Sequence, residues 1–139
     1  MKFKKIVLPL ILLSVGIAIV AYNVYNKPHI DVVDAKADVL VTAENLFTEF
    51  STDEATANAE YLDKIIQVKG IVQKLEIENG IGIVTLKTED DVGSVQCNLS
   101  TEAKNDFNVL KENELVTIKG ICTGYLMDVV LVKSEIVNQ

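Results

Sequence analysis

Residues 6–25 read IVLPLILLSVGIAIVAYNVY, twenty consecutive positions without a charge. As a helix rising 1.5 Å per residue, such a run spans roughly 30 Å, the thickness of a bilayer's hydrocarbon core. Lys2, Lys4 and Lys5 precede it, Lys27 follows it, and no acid occurs before Asp31. By the positive-inside tendency this asymmetry predicts a cytoplasmic N-terminus and an extracytoplasmic remainder. Tyr22 and Tyr25 fall where an interfacial aromatic belt is expected. Pro9 sits in the first turn of the apolar run, where a missing N–H costs little. A cleaved secretory signal is the competing reading, with Gly16-Ile17-Ala18 its one passable small-x-small site. No cysteine stands at the end of the run, which excludes a lipidated-cysteine anchor. A buried helix of a soluble protein is the third reading. The expected organisation is an anchor over 1–27, a tether over 28–41 and one domain over 42–139.

Charge divides the chain at the same place. All 13 basic groups are lysine, set against 20 acids, and arginine and tryptophan are absent. From Pro28 onward 9 lysines face 20 acids, so this part carries 9 − 20 = −11. Phosphate contacts need basic surface, and base recognition leans on arginine forks and aromatic stacking, so the composition argues against a nucleic-acid binder. One histidine and two cysteines leave little material for a metal site or a nucleophile triad. The residues predict no enzyme, no cofactor and no metal.

The domain opens on helical spacing. Thr42 is placed to cap a helix carrying Ala43, Leu46, Phe47 and Phe50 on one side. Ser51-Thr52-Asp53-Glu54 has the pattern of a capping box for a second short helix reaching about Tyr61. The period then changes to two. Strands are expected over 65–72 with continuation through Ile77, over 81–87, over 94–99, over 115–123 and over 126–137. Asn79-Gly80 supplies the left-handed residues of a tight hairpin between the first two. A short helix beginning with the capping residues Ser100 and Thr101 and ending near Leu110 separates the third strand from the fourth.

Three strands, a helix and two strands is the order of an OB-fold barrel. The expected class is therefore mainly β: a five-stranded OB-fold barrel with an N-terminal helical extension, preceded by one transmembrane helix. An internal echo supports it, since Ile66-Gln67-Val68-Lys69-Gly70-Ile71-Val72 matches Val116-Thr117-Ile118-Lys119-Gly120-Ile121-Cys122 in pattern. In such a barrel the first and fourth strands lie side by side. Their glycines would relieve crowding where strands coil around a small interior. Period two sends Ile66, Val68, Val72, Val116, Ile118 and Cys122 inward and Lys69 and Lys119 outward. The two short helices are expected over one open end.

Three groups of residues now stand in a recognisable order. They are Phe50-x-x-Asp53-Glu54-x-x-Ala57-x-x-x-Tyr61-x-x-Lys64-x-Ile66-x-Val68-x-Gly70, then Val95-x-Cys97, then Val116-x-Ile118-x-Gly120-x-Cys122-x-Gly124. Together they resemble the tRNA-anti-like group of OB-fold proteins over roughly residues 42–137. The resemblance implies an OB fold, often with an N-terminal signal or anchor, and brings no agreed catalytic residues.

Cys97 and Cys122 are the tempting chemical pair in a compartment that permits disulfides. Both should face the core. Two strand spacings, roughly 9–10 Å, would separate them across the fifth strand, beyond the reach of a bridge. Buried thiols are the first reading and a disulfide in a flattened barrel the second. No CxxC or adjacent cation suggests a redox role. His29 reads as a linker residue, Glu89-Asp90-Asp91 as a solvated turn without the ligand pattern of a calcium loop, and Ser94, Ser100 and Thr101 as strand-edge and capping residues.

OB domains bind strands and sugars on the second and third strands and their flanking loops. Here those strands carry no aromatic residue and the first loop is acidic, so nucleic acid is the alternative partner and not the expected one. The turn between the last two strands remains. Tyr125, Leu126 and Met127 form a candidate interaction loop for a protein or small apolar ligand, unless they fold back over the barrel end as a plug. The sequence thus predicts a membrane-anchored, extracytoplasmic, non-catalytic binding module, held by residues 6–25, with a tRNA- or single-strand-binding protein as the alternative.

Overall fold

The computed structural model describes residues 2–26 and 31–137, with side chains at 2–6 and 8 left aside; His29 lies outside the described residues. Two units result, Met1–Ile30 and Asp31–Gln139.

The first unit is the helix α1 (Lys2–Tyr25), whose described apolar side chains are exposed along its length. Because the helix begins at Lys2, Pro9 lies inside it and not in its first turn. A proline there removes one backbone hydrogen bond from the ladder. Among the described residues no helix is long and apolar enough to cross a membrane. The expected transmembrane helix over 6–25 is therefore met only as an exposed apolar helix.

The second unit is a closed barrel. Its elements are β1 (Val39–Thr42), α2 (Ala43–Thr52), α3 (Glu54–Tyr61), β2 (Ile65–Glu78), β3 (Ile81–Leu86), β4 (Val95–Leu99), α4 (Lys104–Phe107), β5 (Leu115–Tyr125) and β6 (Val129–Val137). The sheet order β1-β2-β3-β4-β6-β5, with β2 also paired to β5, closes five strands on themselves. Closure leaves the barrel no free edge, which is how a small β domain avoids pairing with other chains. The β2–β3 connection is the expected hairpin, with Asn79 and Gly80 both at positive φ.

The echoed segments pair antiparallel, Ile66 opposite Gly120 and Gly70 opposite Val116. Each glycine thus faces the first inward residue of the other copy, a local two-fold arrangement around Val68 and Ile118. All six residues expected inward are buried to 1% exposure or less. At Gly120 an added Cβ would lie 2.4 Å from Ser134 Oγ and 3.2 Å from Leu131 Cβ.

Residues 28–41, expected as a tether, differ from 31 onward. Val32 is buried, and β1 pairs parallel with β2, Val39 opposite Ile66. Asp38 bridges the entry twice: its N–H donates to Ile65 O (2.7 Å) and its Oδ2 accepts from Ile65 N (3.1 Å). Lys119 Nζ donates to Val33 O (2.9 Å) and Ala35 O (2.8 Å), so this outward lysine ties the entry segment down. The partners lie far apart in sequence, which hides the arrangement from any local pattern.

Two capping expectations are corrected. Thr42 caps α2 as expected, accepting from Asn45 N at 3.2 Å. The α3 cap, however, is Asp53, which accepts from the Thr56 N–H (3.2 Å) and hydroxyl (2.7 Å). Ser51 lies in the last turn of α2, where its hydroxyl bonds back to Thr48 O. Ser100 and Thr101 do not cap α4 either: the helix begins only at Lys104, and the Ser100 hydroxyl donates to Glu135 on β6.

Candidate interaction surface

The two ends of the barrel are closed by different means. At one end α2 and α3 bury Leu46, Phe47, Phe50, Ala57 and Tyr61. At the other, the Phe107 ring of the four-residue α4 sits against Gly82, where an added Cβ would meet it at 2.8 Å.

Around the helical end the turn expectation divides within one triplet. Along β5 the inward positions are even-numbered up to Cys122, a phase that would send Tyr125 outward. A bulge intervenes, because Cys122 faces Leu131 while Gly124 faces Val130, with Gly124 at φ 117°. One extra residue reverses the side-chain phase and swings Tyr125 toward the core. Its ring stacks on Phe50 and meets Phe47 edge-on, with centroids 5.9 Å apart in each pair. Tyr125 is therefore half of the plug reading, while Leu126 is 93% exposed and Met127 66% exposed.

Both exposed side chains sit on a pinned turn. Asp128 Oδ1 accepts from the Ser94 N–H (2.8 Å) and hydroxyl (2.7 Å), and Val129 N donates to Ser94 O (3.0 Å). The neighbouring loop is held the same way. Asp90 Oδ1 accepts from Val92 N (2.8 Å), the Thr88 hydroxyl donates to Gly93 O, and Glu44 of α2 accepts from Glu89 N (2.6 Å). The acidic stretch 89–91 is thus partly structural. Gly93 lets the loop close over Phe47, since an added Cβ would lie 2.1 Å from its ring and 2.9 Å from Met127 O. Val92, 75% exposed, belongs to the loop whose Gly93 lies against the Met127 carbonyl. Sequence reasoning missed Val92 and the Asp128–Ser94 pin, because the pin joins residues 34 apart.

Against α3 the turn forms a groove of about 410 Å³, lined among others by Glu54, Asn58, Leu62, Tyr125, Leu126 and Val130. On the β1 side of the helices Tyr61 donates to Glu49 Oε2 at 2.6 Å, and both residues line a separate cleft with Val39 and Leu40. Burial, then the Glu49 hydrogen bond and charge, hold the Tyr61 hydroxyl well above its ordinary pKa.

The two cysteines face the interior as free thiols on either side of Leu131, which pairs with Cys97 in β4 and with Cys122 in β5. Two strand spacings, roughly 9–10 Å, separate them, so the barrel is not flattened enough for a bridge. Burial pushes the Cys97 thiol up to about 12 and raises Cys122 as well. Low-pKa thiolate chemistry has no support in these surroundings. Among the described residues no cluster of His, Cys, Asp and Glu could hold a metal ion.

On the outer side of β3 and β4 lie Thr85, Gln96 and Asn98. The lysine nearest in register, Lys74 opposite Thr85, pairs with Glu76 at 2.7 Å.

Comparison with solved structures places the barrel among OB-like folds. A lipoprotein from Klebsiella pneumoniae, described as a candidate nucleic-acid binder, superposes with a TM-score of 0.62 at 20% identity, over 81% of this chain and 100% of that one. An OBody bound to hen egg-white lysozyme gives 0.45 at 17% identity, over 58% of this chain and 87% of that one. Asparaginyl-tRNA synthetase from Pyrococcus horikoshii gives 0.43 at 17%, over 57% of this chain and 20% of that one. No curated protein sequence matches the chain. The tRNA_anti-like family model matches residues 1–136, and the chain belongs to that family.

Proposed function

We propose that this chain is a non-catalytic binding module held at a membrane by residues 6–25, with its N-terminus cytoplasmic and its barrel outside, and that it meets a protein partner at the helical end. The observation that carries the binding site is the pinned turn that exposes Leu126 and Met127. Exposed apolar side chains on loops fixed by hydrogen bonds lose little freedom on docking, which favours affinity. Covering one fully exposed leucine contributes roughly 1.5–3 kcal/mol. The anchor reading is supported by the uncharged run 6–25 and by the exposed apolar side chains described on α1.

Nucleic acid is the second reading, favoured by the description of the Klebsiella lipoprotein that shares the fold. Against it stand the −11 charge beyond residue 27, the absence of aromatic side chains on β3 and β4, and the pairing of Lys74 with Glu76. A photoreactive residue at position 126, in the full chain in its own membrane, should crosslink to a protein, and one at Glu112 should not. Binding to single-stranded nucleic acid that falls steeply with salt would instead favour the second reading. Protease added outside spheroplasts should remove the barrel; a protected full-length chain would overturn the topology.

A further inference from the structure

The groove between α3 and the β5–β6 turn has one charged lining residue, Glu54, in an otherwise neutral wall to which Leu62, Tyr125, Leu126 and Val130 contribute apolar surface. Among the described residues, no ion pair or side-chain hydrogen bond engages the Glu54 carboxylate. Asp53, the cap of α3, adds a second acid next to Glu54 in the chain, and no lysine is part of the wall. At about 410 Å³ the groove falls at the small end of ligand clefts, which run about 300–1,000 Å³.

We infer that this groove receives a protein segment in which a lysine or arginine stands next to a large apolar side chain. The inference rests on the helical end being the docking surface, and it names the chemistry of what docks there. The apolar side chain covers Leu126 and the exposed edge of Tyr125, while the cation meets Glu54. Charge selects among occupants. A second copy of this barrel would bring −11 against −11, and an anionic lipid or a phosphate chain would face the same carboxylates, so each is repelled at this surface. A basic, apolar segment is attracted on approach and loses its water at the turn.

The chain carries its own reporter, since its two methionines are Met1 and Met127. The full chain, placed in zwitterionic nanodiscs with ¹³C-methyl methionine, would be titrated with three six-residue peptides: alternating leucine and lysine, alternating leucine and glutamate, and all lysine. The Met127 methyl signal, assigned by its loss in Met127→Leu, should shift with the leucine–lysine peptide and stay fixed with the leucine–glutamate one. All-lysine should bind at least tenfold more weakly. Glu54→Gln should weaken the leucine–lysine peptide about tenfold at unchanged thermal stability, and Glu112→Gln should leave it unchanged. Equal binding of both leucine peptides, no effect of Glu54→Gln, or no shift with any peptide would each overturn the inference. So would broadening of Met127 by a lipid-borne spin label, which would make the bilayer the occupant. Crosslinking at position 126 separates the two levels: protein crosslinks retained despite silent peptides leave the surface standing and remove only the partner chemistry.

Discussion

The two ends of this barrel solve one problem with unequal means. The helical end is closed by α2, α3 and a cluster of four aromatic rings, and the two loops over Phe47 are pinned by the Asp90 and Asp128 carboxylates. The hairpin end is closed by α4 with its half-buried Phe107 ring and by the flanking buried residues Ala103 and Leu110, with Ile77 and Val109 left exposed. Apolar side chains are exposed at both ends. Hydrogen bonds hold turns at both ends, Glu114 accepting from Lys111 N at 3.0 Å in the segment that follows Val109. The helical end differs in backing its exposed turn with four aromatic rings, and that difference, more than exposure itself, marks it as a surface for another molecule.

The sharpest test of the asymmetry is truncation of one ring at each end. Phe50 is 1% exposed and in contact with Tyr61 and Tyr125, so Phe50→Ala should cost about 3–5 kcal/mol. Phe107→Ala, at a half-buried site, should cost about 1–2 kcal/mol. Urea midpoints of the two variants check this, and equal losses would break the comparison. Glycines give the next effect. Gly93→Ala drives a methyl into Phe47 and the Met127 carbonyl and should destabilise by about 1–3 kcal/mol. Gly82→Ala meets only the edge of the less confined Phe107 ring and should cost less in the same melting experiment.

Much of the barrel was legible in the sequence, because its determinants are local. Period two fixed the inward faces of β2 and β5, and Asn79-Gly80 fixed the hairpin. The rest depended on partners distant in the chain. β1 is only four residues long and exists because Asp38 pairs with Ile65 and Lys119 grips Val33 and Ala35. The inward turn of Tyr125 follows from a bulge whose register is set by β6. At α3, Ser51 and Asp53 are equally good caps by type, and only the length of α2 decides between them.

Between the ends, Cys97 offers a pH test of the barrel's middle. Its thiol is held neutral in the fold up to about pH 12, against an ordinary value of 9.0. The unfolded chain therefore binds fewer protons between those values, and stability falls as pH rises through that window, by at most about 1.4 kcal/mol per pH unit. Tyr61 adds the same sign above pH 10. Chemical denaturation of Cys97→Ala at pH 8, 9 and 10 should show a shallower loss than the wild type. A wild type flat over this range would mean that the barrel's middle admits water.

The smallest expected change in stability is the most informative about function. Leu126 and Met127 follow Tyr125 directly, yet Leu126 buries almost nothing and Met127 only about a third of its surface. Leu126→Ser should therefore shift the unfolding free energy by no more than about 0.5 kcal/mol and Met127→Ser by little more. Tyr125→Ser, which removes a ring from the aromatic cluster, should cost several times as much. If the two serine variants keep full stability and lose crosslinking at the turn, their apolar side chains are maintained for a partner. A loss above about 1 kcal/mol at Leu126 would mean that it folds back over the barrel end in solution, and the helical end would then be a plug like its counterpart.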